Sequence, residues 1–290
     1  MADLTTLITQ KTRADEMWKL QKQTEREDTV ALRDGAIADI TSSADNYAAY
    51  LQLQGNNPTY SAGNVALAMY QLKDVTIIGT KERWASLGRT VLRQEEPNGA
   101  KIFVRPNPTQ RRGYSISDAY DISQTQGKPY RQPQMLPDTP QMERALSTLL
   151  NYAPCPVVAD GDLSEAAWYN PKSMELIVNP MADDKTAFYA IATEIVQARF
   201  HNKGANQYYD KDECRLDAES VAYLICRRVG LDQPLPDTTD VAALYDGFEV
   251  EQRADALNRI QSMAKQIGGA IERNIQPPQR NRGNYNMPVR

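Results

Sequence analysis

The chain has little of what most metal and redox sites require. It has one histidine, His201, so the usual imidazole ligand set for zinc is missing. Its three cysteines (Cys155, Cys214, Cys226) are an odd number, and none lies in a C-x-x-C spacing. Nothing at the N-terminus reads as an apolar export signal, so the expected compartment is a reducing cytoplasm. No apolar run approaches the ~20 residues that span a bilayer, and no membrane partner is expected. Net positive charge is also lacking: the formal charge is −4 and the isoelectric point about 5.3, which gives no global attraction to phosphate. Nucleic-acid binding would therefore need a local basic patch. There is no internal repeat.

What is present suits two α+β units, since 290 residues at 41% apolar content can fill real cores. Residues 1 to 47 are rich in helix formers, with Met17, Trp18, Leu20, Val30, Leu32, Ile37 and Ile40 as sparse apolar contacts. Ser61 stands as an N-cap ahead of "AGNVALAMYQL". From residue 75 the pattern becomes short β-rich pieces, "VTIIG", "AKIFVRP" and "SISDAYDIS". The proline-bearing stretch "GKPYRQPQMLPDTPQ" reads as an extended linker. The predicted division is residues 1–127, a linker over 128–141, a second unit over 142–276 and a disordered tail over 277–290.

In the second unit the sequence predicts a helix from "MERALSTLLNYA" and a hairpin turning at Asn170 and Pro171. Two further helices are predicted, one from about Asp183 to before Gly204 and one from Asp212 to Gly230, and a last one over 249–275. The helix containing "AIATEIVQARFH" carries Phe188, Ile191, Ala192, Ile195 and Val196 on one face. The other face gathers Ala190, Thr193, Glu194, Gln197 and His201, and suits a cleft lining, an exposed surface or packing against a loop. On the next helix Glu219 emerges from the apolar stripe Leu216, Ala222, Tyr223 and Cys226. A carboxylate there needs a partner, whether a cation, a hydrogen bond or a proton.

A hairpin, a helix with a central glutamate and a later glutamate-bearing helix together resemble the zincin-like (gluzincin) metallopeptidase domain, whose helix reads H-E-x-x-H. The resemblance puts the two histidine positions at Thr193 and Gln197, the general base at Glu194 and the third metal ligand at Glu219. With both imidazoles gone it implies no catalytic residue and no bound cofactor. Zinc would return only if Glu194, Glu219 and His201 made a shifted site.

A second resemblance lies upstream. Residues 60 to 125 carry Tyr60, Ser61, Asn64, Leu67 and Gln71, then Trp84, Leu87, Gly88 and Arg89, then Gly99 and Ile102, then Tyr120, Asp121, Gln124 and Thr125. This series resembles the single-stranded-DNA-binding domain of the ArdC-type antirestriction proteins, which join it to a zincin-like domain. It implies single-stranded DNA as partner and nucleic-acid contacts from Tyr60, Ser61, Asn64, Gln71, Trp84, Arg89 and Lys101. The setting it implies is a plasmid, conjugative element or phage. The residue chemistry agrees in part: from Lys73 to Arg105 seven basic positions face four acidic ones, and the block from residue 60 also holds the aromatics Tyr60, Tyr70 and Trp84. The same residues also suit structural roles, Trp84 in a core, Asn64 and Gln71 tying a helix to a strand, and Arg89 ending a turn. Glu95 and Glu96 of "RQEEPNG" depart from the family pattern and would repel a phosphate backbone. Two rival expectations are a metallopeptidase with a shifted site, and a scaffold that docks on a larger assembly through its second domain and its basic tail (Arg280, Arg282, Arg290).

Overall fold

The computed structural model describes residues 3–105, 114–202 and 207–275. The predicted tail 277–290 lies outside these residues. Helix α1 (Leu4–Ile40) is followed by α2 (Ala44–Asn56) and α3 (Ala62–Gln71). Ser43 and Ser61 start the latter two by accepting hydrogen bonds from the Asn46 and Asn64 N–H groups. Only the end of α1 is packed: Ile37 and Ile40 are buried, whereas Met17, Trp18 and Leu20 are exposed, contrary to their expected role as packing contacts. The polar sequence around those three gives a neighbouring element too little apolar surface to cover.

The β-rich pieces form two small sheets. Strands β1 (Ile78–Thr80), β3 (Ala100–Val104) and β4 (Ser115–Asp121) pair antiparallel in the order β1-β4-β3. Between β1 and β3 lie α4 (Lys81–Ser86) and β2 (Arg89–Val91), and β2 pairs with β5 (Thr125–Gly127). Trp84 on α4 is completely buried beside Ile77, Val91 and Tyr120, and its indole N–H donates to the Tyr120 carbonyl at 3.0 Å. Gly79 is required opposite that ring, because a Cβ there would sit 2.8 Å from the indole.

Two carboxamides tie α3 across this sheet. Asn64 donates to the Phe103 carbonyl at 2.7 Å and accepts from its N–H at 2.9 Å. Gln71 does the same with Lys101, at 3.1 and 2.9 Å. Each side chain imitates the peptide group of a neighbouring strand and satisfies the free edge of β3. Arg89 staples the β2–β5 turn, donating to Thr125 Oγ1 (2.8 Å) and to the carbonyls of Lys128, Thr125 and Ile122. Asp121 does similar work at β1: its carboxylate accepts from the Thr76 and Ile77 N–H groups at 2.6 and 2.9 Å, and from Ser123 at 2.8 Å.

The second half contains α5 (Pro140–Leu150), then β6 (Val157–Ala159), β7 (Ala167–Asn170) and β8 (Glu175–Val178) in the order β6-β8-β7, with β7 and β8 as the expected hairpin. Helices α6 (Asp184–Asn202), α7 (Arg215–Val229), α8 (Val241–Leu244) and α9 (Val250–Ile275) complete it. Gly230 ends α7 in the left-handed conformation, and the linker passes so close that a Cβ there would lie 2.5 Å from Pro133. Met135 donates to the Gly230 carbonyl at 3.0 Å and is itself buried, so this stretch is held against the body.

One hydrophobic core runs from Ile37, Tyr47 and Tyr50 to Phe188, Ile225 and Ile260. Polar bonds cross the same junction: Tyr47 Oη lies 3.2 Å from Ser220 Oγ, Arg227 donates to Asn56 Oδ1 at 2.7 Å, and Gln261 donates to the Pro58 carbonyl at 3.2 Å. Helices α1 to α3 thus share their core with α5 to α9, while the small sheets sit on smaller satellite clusters. Among the described residues no helix is long and apolar enough to cross a membrane.

Trp84→Ala is expected to cost about 3–5 kcal/mol by leaving a cavity, and Arg89→Ala about 2 kcal/mol through lost charge-assisted bonds. Urea denaturation checks both, with exposed Lys73→Ala leaving the midpoint unchanged. Burial alone would raise the Asp121 pKa, but the N–H groups of Ser123, Thr76 and Ile77 outweigh it and hold the carboxyl below its ordinary value. Its contribution is therefore present above the unfolded pKa, near 3.9, and lost as pH falls through the lower folded value. Asp121→Asn should lower stability at pH 7 by on the order of 2 kcal/mol and flatten the acid limb below about pH 4, as measured by thermal unfolding across a pH series.

Candidate functional site

The face of α6 that carries Glu194 is covered by the segment that leads into α7. Glu194 Oε2 accepts from the Tyr169 N–H of β7 at 2.7 Å and from the Lys211 ammonium, also at 2.7 Å. The ammonium also lies 3.2 Å from the centroid of the Trp168 ring, so it is shared between a carboxylate and an aromatic face. Gln197, one turn along, is bonded at both ends: its Nε2 donates to the Lys211 carbonyl at 3.0 Å, and its Oε1 accepts from the Tyr209 hydroxyl at 2.9 Å. Thr193 turns its hydroxyl back onto the Tyr189 carbonyl of its own helix. His201 Nδ1 lies 2.7 Å from the Tyr169 hydroxyl, and its ring stacks on Tyr209 with centroids 4.7 Å apart.

This donor set does not fit a divalent metal. Thr193 and Gln197 are neutral oxygen and amide groups that already have partners, and a cation already neutralises Glu194. Burial pushes the Glu219 carboxyl above its ordinary range; Arg215 opposes this, and Asp237 and Glu194 add to it. The Cys214 thiol, at the foot of α7, is pushed up to about 11, by burial first and then by Asp217 and Glu213, which keeps it protonated. Among the described residues no group of three or more His, Cys, Asp or Glu side chains is placed to hold one ion, and Glu194, Glu219 and His201 do not form one. Of the readings open for this face of α6, packing against a loop is the one found, in place of an open cleft or an exposed surface: Glu194 and Gln197 are buried and bonded to Tyr209 and Lys211. The sequence carries no signal for Lys211, because a lone lysine in a polar loop 17 residues from its partner fits no periodic pattern.

The expected nucleic-acid residues are distributed by the fold. Ser61 is a helix cap, Asn64 and Gln71 are bound to β3, Trp84 is in a core and Arg89 is spent on the β2–β5 turn. Lys101 pairs with Asp118 at 2.8 Å and Glu25 at 3.6 Å. A base cannot reach the Trp84 face in this arrangement, so its expected stacking gives way to a packing role. Of the two acids in "RQEEPNG", Glu96 pairs with Lys81 at 3.0 Å and Glu95 accepts from Gln124 and Asn98. Tyr60 is the exception, because it lines a cleft.

That cleft, of about 420 Å³, opens between the α2–α3 connection, the linker and the C-terminal end of α7. Tyr60, Tyr130 and Asn56 line it together with Arg83, Arg227 and Arg228, while Asp232 and Glu272 supply the acidic side. Arg228 is committed to Glu272 at 2.9 Å, and Arg227 to Asn56. Arg83 is exposed, and no ion pair among the described residues engages it. Burial raises the Tyr60 hydroxyl pKa and the nearby Arg83 charge partly offsets this.

No family model matches the chain, and no curated protein matches it in sequence. Solved structures do. The metal-free crystal structure of the antirestriction protein ArdC from plasmid R388 superposes with a TM-score of 0.53 at 14% identity, covering 84% of this chain and 97% of that one. The Mn(II)-bound structure of the same protein gives a TM-score of 0.51 at 15% identity, covering 87% and 99%. The α+β architecture described above, running through both halves of the molecule, is therefore the fold of the ArdC antirestriction protein.

Proposed function

We propose that the chain is an antirestriction-like, single-stranded-DNA-binding protein of a plasmid, conjugative element or phage, in which the peptidase-like half has lost its catalytic role. The observation that carries this reading is the cleft at the junction of the halves, where an aromatic ring, Tyr60, lies beside the uncommitted cation Arg83. A single strand needs a cation for its backbone and a flat face for its bases. Arg83 and Arg227 supply the first, Tyr60 and Tyr130 the second, and the acidic overall charge confines the attraction to this groove. Asn64, Gln71, Trp84 and Arg89 act at one remove, by holding α3 and the small sheets in place, and Ser61 by starting α3. The shared fold with ArdC supports the antirestriction setting. On the peptidase side, Glu194 is neutralised by Lys211 and is not free to act as a general base.

Binding of a labelled ~20-nucleotide single strand, followed by fluorescence anisotropy across a salt series against its duplex, tests the reading. The expected result is a single-strand preference with affinity that falls as salt rises. Arg83→Glu should weaken binding about tenfold and reduce the salt slope by about 0.7 per lost phosphate contact. Equal binding of duplex, or an Arg83→Glu protein with unchanged affinity, would count against it. An interaction scaffold is the second reading, favoured by the exposed Leu4, Leu7, Ile8, Met17, Trp18 and Leu20 on α1, and absence of binding at low salt would leave it in front.

A further inference from the structure

We infer that Lys211 is a built-in replacement for a metal ion: its ammonium occupies the electrostatic role that a divalent cation has in a peptidase-like site, and locks the segment 207–214 onto α6. The inference rests on reading the second half as a peptidase-like fold without its histidines, and adds that the vacancy was refilled by a charge from the chain itself.

Three independent contacts converge on this lysine. Its ammonium reaches the same Glu194 oxygen that takes the Tyr169 N–H, so one carboxylate oxygen is held by a strand and by a cation. The ammonium also lies 3.2 Å from the centroid of the Trp168 ring, which leaves the Lys211 side chain 21% exposed. Its own carbonyl accepts from Gln197, the residue at the second expected histidine position, and Tyr209 fixes the other end of that carboxamide. The loss of imidazoles, the arrival of the lysine and the burial of the glutamate therefore form one arrangement. A buried carboxylate without a counter-charge is costly, and a paired one is not. A lysine also serves where a metal would not, because it needs no supply of ions and is placed by its own chain against one carboxylate oxygen and one aromatic ring. A second cation brought to Glu194 would meet the ammonium at close range, so Lys211 both replaces a metal and excludes one.

The full-length protein decides this with two measurements. The first is a thermal-unfolding cycle of Lys211→Met, Glu194→Gln and the double variant. Each single change is expected to lower Tm, while Glu194→Gln in the Lys211→Met background restores part of the loss. Additive losses would overturn the pairing. The second is calorimetric titration of the metal-stripped protein with Zn²⁺ and with Mn²⁺. The wild type is expected to bind neither stoichiometrically. Thr193→His with Gln197→His should bind weakly while Lys211 remains, and the further change Lys211→Ala should raise affinity at least 100-fold, to one ion per chain. Tight binding by the wild type would overturn the replacement while strengthening the peptidase-like reading. Equal affinity with and without Lys211 would overturn the exclusion. A coupled unfolding cycle with no metal gained by the triple variant would overturn the replacement, and the peptidase-like reading of α6 and α7 with it.

Discussion

Helix α7 has to be covered on every side, and the rest of the molecule is arranged to do it. From Leu216 to Val229 nearly every position is buried, apart from a few polar side chains at its edges. A helix of that kind belongs inside a core rather than on its surface. Its polar groups are met from different directions, Ser220 and Arg227 by α2 and Asp217 and Arg228 by α9. Each pairing removes the cost of taking a polar group from water and fixes one neighbour's position.

That requirement explains why the first three helices cannot be separated from the second half in packing terms. Tyr47 and Tyr50 of α2 are buried among α7 and its neighbours, so the proline-bearing stretch does not insulate two cores from each other. It lies along the surface, pinned at Met135, and forms one wall of the cleft through Tyr130 and Gln134. The cleft is therefore a product of the junction: one wall comes from the α2–α3 connection, one from the linker and one from the end of α7.

The two candidate sites differ in how they use charge. At α6 the cation and the anion belong to the same chain and satisfy each other, and such a pair is well placed to hold structure and poorly placed to do chemistry. At the cleft no ion pair among the described residues engages Arg83, although Asp232 and Glu272 line the same space. The residues of the family-like series mostly fall in a third group. Arg89, Asn64 and Gln71 spend their hydrogen bonds on backbone groups that would otherwise be stranded at a strand edge or a turn.

Short-range signals were legible from the residues alone. The cap at Ser61 belongs to this class, as do the stop at Gly230, the β7–β8 hairpin and the buried stripe of α6. Each depends on residues within one or two turns of each other, where spacing and side-chain chemistry settle the geometry. The pairs that define the sites span the chain: Glu194 with Lys211, Trp84 with Tyr120, Arg89 with Thr125, Tyr60 with Arg83 and Arg227. The residues alone establish that neither Thr193 nor Gln197 beside Glu194 is an imidazole, and that no global charge draws in nucleic acid. That Lys211 pairs with Glu194, that Trp84 faces a core and that Trp18 does not are settled by the packing of distant segments, because burial and pairing are properties of what else arrives at the same place.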